Sequence, residues 1–451
     1  MTCLILLSIL RKILAVAVVQ RIFDRTREAI NVSQAAYSPG RGASELILAF
    51  KLLAERAINS QNYEFHILML DMSRAFDTIQ RGSVINHLRP ILNPDELHLV
   101  SLLIKDVTLQ VKCDKTLGRT FTTNIGSPQG DCASPLLFIL ELSKALEKSK
   151  DLIKSFSNLN TIRLTQHDHP YSKQTETVKE TDKTFSIGQE YADDCSIGST
   201  NLELIEQFNN TVPQQLEQFS LCVNKEKTER FSIKHNGDQS WKDIILLGSK
   251  LDTQSDIARR KGLASAAFNK HQNIVTNKRL PLTLRIKYFE AFVTSIFLYQ
   301  SGIWTLNEKL NNKIDVFQRL FLKRIVGIRY PKTITNKELY KLTKQQPWSR
   351  TCKKRRLTLF GHTCRLPVNA PAREAIQEAI KPVKRPVGGQ RTTLIKSIRK
   401  DLECVETSIE DAMKLNKGDY RTLVERVMSY TITPQKEDRG ASCTDDLSAS
   451  R

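Results

Sequence analysis

Short apolar runs bounded by polar turns alternate along this chain with longer stretches whose apolar residues recur at helical spacing. The clearest run, Phe65-His66-Ile67-Leu68-Met69-Leu70, has strand length and stops abruptly on Asp71. It reads as a buried strand that delivers a carboxylate at its C-terminal end. The plainer reading makes Asp71 or Ser73 the cap of a following helix. Residues 1 to 60 read as mainly helical, with a turn at Ser38-Pro39-Gly40, and Met1 to Val19 as a core helix. Ser83 to Lys105 predicts a helical pair split at Pro90 and Pro94, and Val107 to Val111 with Thr120 to Thr123 predict two short strands joined near Asp114-Lys115. Ser134-Pro135 is a strong helix start for the apolar stretch that runs to Leu146. Further helices are expected over Leu202 to Leu221, Lys261 to Asn277, Leu282 to Tyr299, Asn311 to Val326, Thr393 to Val405 and Tyr420 to Tyr430. Residues 150 to 188 read as a polar surface insertion. The stretch from Pro382 to Arg391 is a linker by its Pro, Gly and charge content.

Two places along this pattern suggest chemistry. Tyr191-Ala192-Asp193-Asp194 sets adjacent carboxylates between short apolar runs. Burying unpaired negative charge costs roughly several kcal/mol per ion unless a cation or hydrogen bonds compensate. A strand–turn–strand with both acids at its tip makes sense around a divalent metal, although most Asp-Asp pairs are solvated turn residues. In Gly126-Ser127-Pro128-Gln129-Gly130 the glycines permit close backbone approach to a ligand. An ordinary loop entering a core helix would look the same.

Composition narrows the partners. The 451 residues suffice for two or three domains, and a hydrophobic content of 40% marks a globular chain. The formal net charge is +20, from 68 Lys and Arg against 48 Asp and Glu, which favours a polyanionic partner. No run of about 18 uninterrupted apolar residues suggests a membrane span. Nine scattered cysteines, without C-x-x-C spacing, suit a reducing, intracellular setting in nucleus or cytoplasm. Cys352, His362 and Cys364 lie close together, but their spacing fits no common zinc finger. Arg259-Arg260-Lys261, Lys353-Lys354-Arg355-Arg356 and Lys384-Arg385 would suit a phosphate backbone, with a solvated face as the default for any one of them.

Taken in order, five motifs resemble those of the reverse transcriptases of non-LTR retrotransposons. They are Leu70-Asp71 through Ala75-Phe76-Asp77, then Gly126 to Gly130 with Ser134-Pro135, then Tyr191-Ala192-Asp193-Asp194, then Leu221 to Thr228, then Leu246-Leu247-Gly248-Ser249. Upstream, Gln34 to Gly42 resembles the family's fingers motif, with Ala36 where a glycine is usual; downstream, Tyr299, Trp304, Phe360-Gly361-His362 and Arg365 fit the region after the thumb. The likeness covers roughly residues 1 to 402. It implies an α+β right-hand polymerase with partial fingers (1–64), a palm with an antiparallel sheet (65–250, insertion 150–188) and a helical thumb (251–300). A mainly helical C-terminal region would follow: a post-thumb region (301–381), a basic linker with short helices (382–433) and a disordered tail (434–451).

The implied activity is RNA-directed DNA polymerase, a nucleotidyltransferase that extends a DNA primer on an RNA template with deoxynucleoside triphosphates. It implies two Mg²⁺ ions, with Mn²⁺ as an alternative, held by Asp71, Asp193 and the supporting Asp194. Lys227 takes the place of a proton donor to pyrophosphate. Met72, through its peptide oxygen, Phe76, Gly126, Gln129, Gly130 and Arg41 fall at nucleotide- or template-binding positions. The Phe76 ring would exclude a 2′-hydroxyl. An Arg-Pro pair usual in the family is replaced by Thr2-Cys3, so the chain reads as an element product that starts inside the fingers, with activity impaired on that account. The rival readings are a relic that binds nucleic acid without catalysis, and a splicing-type maturase that shares the palm.

Overall fold

The computed structural model describes residues 7–61, 63–73, 75–105, 107–113, 116–127, 130–156, 185–382 and 391–430. Gln129, Lys384-Arg385, the proposed tail and most of the polar insertion lie outside the described residues.

Helix α1 (Ile9–Glu28) opens on the Ser8 side chain, which accepts from the Arg11 N–H. Only Ala15, Val18, Ile22 and Thr26 of this helix are buried, while Ile9, Leu10, Ile13 and Leu14 face solvent. The expected core helix is therefore buried along one stripe only, because one side alone meets the body and Arg11 and Lys12 interrupt its apolar first turns. Helix α2 (Ala43–Ile58) is buried from Glu45 through Ala54. An all-round apolar helix of this kind belongs in an interior. Its charged groups are paired: the Lys51 ammonium donates to the Leu251 carbonyl at 2.7 Å and to Thr253 Oγ1 at 2.9 Å, and Glu55 accepts from the Leu394 N–H at 2.7 Å.

Strand β1 (Phe65–Leu70) comes next, then β2 (Met72–Ser73), α3 (Ala75–Thr78), α4 (Arg81–Leu88) and α5 (Pro94–Ile104). The split at the prolines is as expected. Strands β3 (Val107–Cys113) and β4 (Thr116–Thr123) form an exposed two-stranded hairpin, longer than its β-branched cores suggested. Helix α6 (Ser134–Phe156) outruns the expected apolar stretch by more than two turns. Strands β5 (Ser186–Tyr191) and β6 (Asp194–Ser199), helix α7 (Leu202–Gln218), and strands β7 (Cys222–Val223) and β8 (Glu229–Ile233) complete the four-stranded sheet and its β2–β7 extension.

The four-stranded sheet has the order β5-β6-β1-β8, antiparallel throughout. Alternate side chains of β1 point to opposite faces. Phe65 and Ile67 enter one hydrophobic cluster with α2, whereas Leu68 and Leu70 enter a second with α6 and α7. Each such fully buried side chain contributes roughly 1.5–3 kcal/mol. On the first face a Cβ at Gly198 would collide with the rings of Phe65 and Phe50, so only glycine fits there. The β2–β7 ladder continues beyond β1 and pairs Met72 with Val223.

Beyond the sheet a short antiparallel ladder of Ile245–Leu246 with Ser249–Lys250 precedes a helical part. Helix α8 (Thr253–Lys270) leads into Leu282–Phe289, which passes through a π turn at Glu290–Thr294, and then into Glu308–Val326 and Trp348–Cys364. These helices share the first cluster, which runs from α2 to Met428. Fully buried Asp256 joins the parts, accepting from Ser249 Oγ, the Lys250 N–H and Trp304 Nε1, each at 2.9 Å. No helix among the described residues is long and apolar enough to cross a membrane.

Candidate active site

The register of the sheet decides where the acids meet. Leu70 lies opposite Cys195 on antiparallel β1 and β6, and Tyr191 lies opposite Asp194 across the β5–β6 hairpin. Asp71, one residue beyond Leu70, is therefore carried abreast of Asp194, with Asp193 on the turn between β5 and β6. Directly opposed residues on neighbouring strands stand about 5 Å apart at Cα. The turn has only two residues, Ala192 and Asp193, and Ala192 takes φ +56°. Short hairpin turns demand such a left-handed residue. For a residue with a Cβ it costs roughly 1–2 kcal/mol.

The carboxylates sense one another. Partial burial, and after it the like charges of Asp193 and Asp71, hold the Asp194 carboxyl above the usual range. The group still reaches solvent, so water screens part of this effect. Burial, with Asp193 and Tyr191 adding to it, also raises the phenol of Tyr37.

Asp71 has two further neighbours. The Asn224 N–H donates to its main-chain oxygen at 2.8 Å, and the Lys227 ammonium lies 3.4 Å from Oδ2. Asn224 builds the turn that presents Lys227: its Oδ1 accepts from the Glu226 N–H at 3.1 Å, and its carbonyl accepts from the Lys227 N–H at 3.2 Å and from Thr228 Oγ1 at 2.9 Å. Met72 is buried beside Asp71 in β2.

Phe76 and the glycine-rich loop form a second group. The Phe76 ring is half-buried and stacks on Phe138 of α6, with centroids 4.3 Å apart at 27°. The Gly126 N–H donates to the Ile79 carbonyl at 2.9 Å, and the Ser127 N–H to the Phe76 carbonyl at 2.7 Å. Gly126 has φ +76°, and a Cβ on it would stand 2.8 Å from the Asp77 carbonyl oxygen. Glycine is required on both counts. Gly130 also lies in the left-handed region, at φ +105°. Buried Arg81 clamps the loop, donating to the Gly126 carbonyl at 2.7 Å, the Ile125 carbonyl at 3.1 Å and the Thr123 carbonyl. Nothing in the local pattern signals Arg81, since a lone arginine at a helix start looks solvated.

Arg41 is committed elsewhere. Its guanidinium donates to Glu45 Oε1 at 2.6 Å and to the Val32 carbonyl at 3.0 Å. It lines a cavity of about 830 Å³ together with Tyr299, Lys354, Arg355 and His362. Several members of the described basic clusters are held by the body, while Lys354 stays exposed. Lys353 and Arg356 pair with Asp401, Arg355 donates to the Leu298 carbonyl, and Arg259 and Arg260 both donate to the Gly248 carbonyl. Cys352 and Cys364 are buried, and burial pushes both thiols up to about 12.

Among the described residues no group of three or more His, Cys, Asp or Glu side chains stands ready to hold a metal by itself. Mg²⁺ is commonly held by one or two carboxylates together with substrate phosphates, so a complete protein cage is not what such a site needs. The donor set fits that hard cation. Asp71, Asp193 and Asp194 offer carboxylate oxygen only, and the raised Asp194 marks a cluster short of positive charge.

The profile of a family described as reverse transcriptase (RNA-dependent DNA polymerase) matches residues 3–257. A transposon-derived protein of Caenorhabditis elegans is 25% identical over 134 residues, which cover 27% of this chain and 47% of that protein. Among solved structures, telomerase from Candida albicans with a fragment of telomeric RNA aligns at 13% identity and TM-score 0.35, covering 81% of this chain and 56% of that one. Telomerase from Candida tropicalis with the corresponding RNA fragment aligns at 12% identity and TM-score 0.38, covering 82% and 56%. The chain thus spans about half the length of these relatives.

Proposed function

The chain belongs to the reverse transcriptase (RNA-dependent DNA polymerase) family, and on that premise we propose that it extends a DNA primer on an RNA template by metal-assisted nucleotidyl transfer. The observation that carries the proposal is the register that sets Asp71 abreast of Asp194 with Asp193 on the adjoining turn. We further propose an origin in a non-LTR retrotransposon, supported by the transposon-derived relative and by the five ordered motifs. In this reading residues 65–250 act as the palm.

Asp71 and Asp193 would hold the divalent cations, with Asp194 supporting them and the Met72 peptide oxygen beside them. Two bound cations supply activation of the primer hydroxyl and stabilisation of the leaving pyrophosphate. Phe76, braced from behind by Phe138, sets its ring under the sugar of an incoming deoxynucleoside triphosphate. The loop from Gly126 to Gly130 backs the nucleotide and the template. Lys227, held near Asp71, carries the proton that pyrophosphate takes on leaving. General acid catalysis of this kind contributes about 10²–10⁴-fold.

Primer extension on a poly-ribonucleotide template with Mg²⁺ tests the reading. The chain is expected to extend the primer, and Asp193→Asn to lower the rate more than about 100-fold, beyond the 10–100-fold typical of residues that only support a metal ligand. Nucleic-acid binding without extension would establish the binding relic instead.

A further inference from the structure

The segment around Gln34 lies along the edge of the sheet, next to the acid-bearing turn. The Glu190 N–H donates to the Ser33 carbonyl at 3.1 Å and the Ala35 N–H to the Glu190 carbonyl at 3.0 Å, a parallel bridge onto edge strand β5. Gln34 itself is 2% exposed. Its Oε1 accepts from the Ala192 N–H at 3.1 Å and from the Ala36 N–H at 3.0 Å, and its Nε2 donates to the Ala192 carbonyl at 3.4 Å. One carboxamide thus grips both polar groups of Ala192, the residue in the left-handed region. That conformation persists only where its surroundings over-determine it. Asp193 is the other residue of the same turn, so a relaxed Ala192 would re-aim the Asp193 carboxylate.

We propose that Gln34 is a positioning residue for Asp193: its amide locks the two-residue turn and thereby fixes that carboxylate among the metal-holding acids. This role rests on the nucleotidyl-transfer reading. It assigns to a residue 158 positions from Ala192 in the chain a part in metal affinity rather than in general packing.

The experiment uses the full chain and compares wild type, Gln34→Leu, Ala192→Gly and the double variant. Mn²⁺ binding is titrated through the electron paramagnetic resonance signal of the free ion, alongside primer–template affinity. Gln34→Leu is expected to weaken Mn²⁺ binding by about 10-fold or more, in the range for residues that orient a metal ligand. Primer–template affinity should stay within about twofold. Adding Ala192→Gly should restore part of the Mn²⁺ affinity, because glycine takes the left-handed turn without a clamp. If Gln34→Leu does not fold, Gln34→Asn withdraws the amide by one methylene while keeping it polar, and should shift Mn²⁺ binding in the same direction. Unchanged Mn²⁺ affinity in the folded variant, a parallel loss of primer–template binding, or no recovery with glycine at position 192 overturns the inference. Asp193→Asn separates the two levels. If neither wild type nor that variant binds Mn²⁺ or extends primers, the nucleotidyl-transfer reading fails; if the variant matches an active wild type, Asp193 holds no metal and the inference falls; if it loses both while Gln34→Leu binds normally, only the role of Gln34 falls.

Discussion

The Lys227 ammonium stands 3.4 Å from Oδ2 of Asp71, in a pair whose side chains are 67% and 34% exposed. So open a pair contributes at most about 1 kcal/mol to stability. Lys227→Ala should therefore leave the melting temperature within about 4 °C of wild type. If the lysine donates a proton to pyrophosphate, kcat should nonetheless fall about 100-fold with nucleotide KM little changed. Steady-state extension kinetics check this, and an unaltered kcat would reduce Lys227 to a surface neighbour of Asp71.

The raised Asp194 carboxyl predicts how metal and pH are linked. A carboxyl whose folded-state pKa lies above its unfolded value favours the fold while both states are protonated. That contribution disappears as pH rises through the folded value. Above it the ionised acid, crowded by Asp193 and Asp71, is a cost that a bound divalent cation offsets. The rise in melting temperature with Mg²⁺ should thus be larger at about pH 8 than near pH 4, where aspartates begin to protonate. Thermal melts with and without Mg²⁺ across that interval measure it, and Asp194→Asn should flatten the difference.

Phe76 stacks on Phe138 and remains half-buried, and on the proposed reading its ring lies under the incoming sugar. Phe76→Val would remove the ring and open space for a 2′-hydroxyl. Discrimination against ribonucleotides should fall by about 10- to 100-fold, the worth of a small group in a shaped pocket. Single-nucleotide incorporation with each sugar decides the matter. Unchanged selectivity would make Phe76 a packing residue of the α6 face.

Local pattern made much of this molecule legible. The run from Phe65 to Leu70 and its stop at Asp71 became β1, and the acids between apolar runs became a hairpin. Neither feature needs a distant partner to be recognised. The features that escaped depend on contacts far apart in the chain. Arg41 reads as a nucleotide- or template-binding position and the basic clusters as phosphate-facing or solvated, yet Arg41 bonds Glu45, and Arg356 reaches Asp401 across 45 residues. Periodicity tells which face a residue takes but not which group waits there. Arg81 and Gln34 were missed for the same reason, since each serves a backbone turn that the sequence near it does not contain. The apolar start of α1 misled in the opposite direction, because hydrophobicity without a stripe does not say which side is covered.

Asp256 lies one residue inside the end of the family match, yet its bonds to Ser249 and Lys250 are completed by Trp304, well past it. Taking one neutral donor from a fully buried acceptor costs roughly 1–3 kcal/mol. A genetic exchange that joined foreign sequence just after residue 257 would leave that acid with Ser249 and Lys250 but without the Trp304 donor, and would uncover the α2 side of the shared interior. A replacement tail that brought a tryptophan, or an equivalent donor, to the same spot would keep that third bond. The seam between the part that the family match covers and the helices past it is thus bridged by one hydrogen-bonded acid.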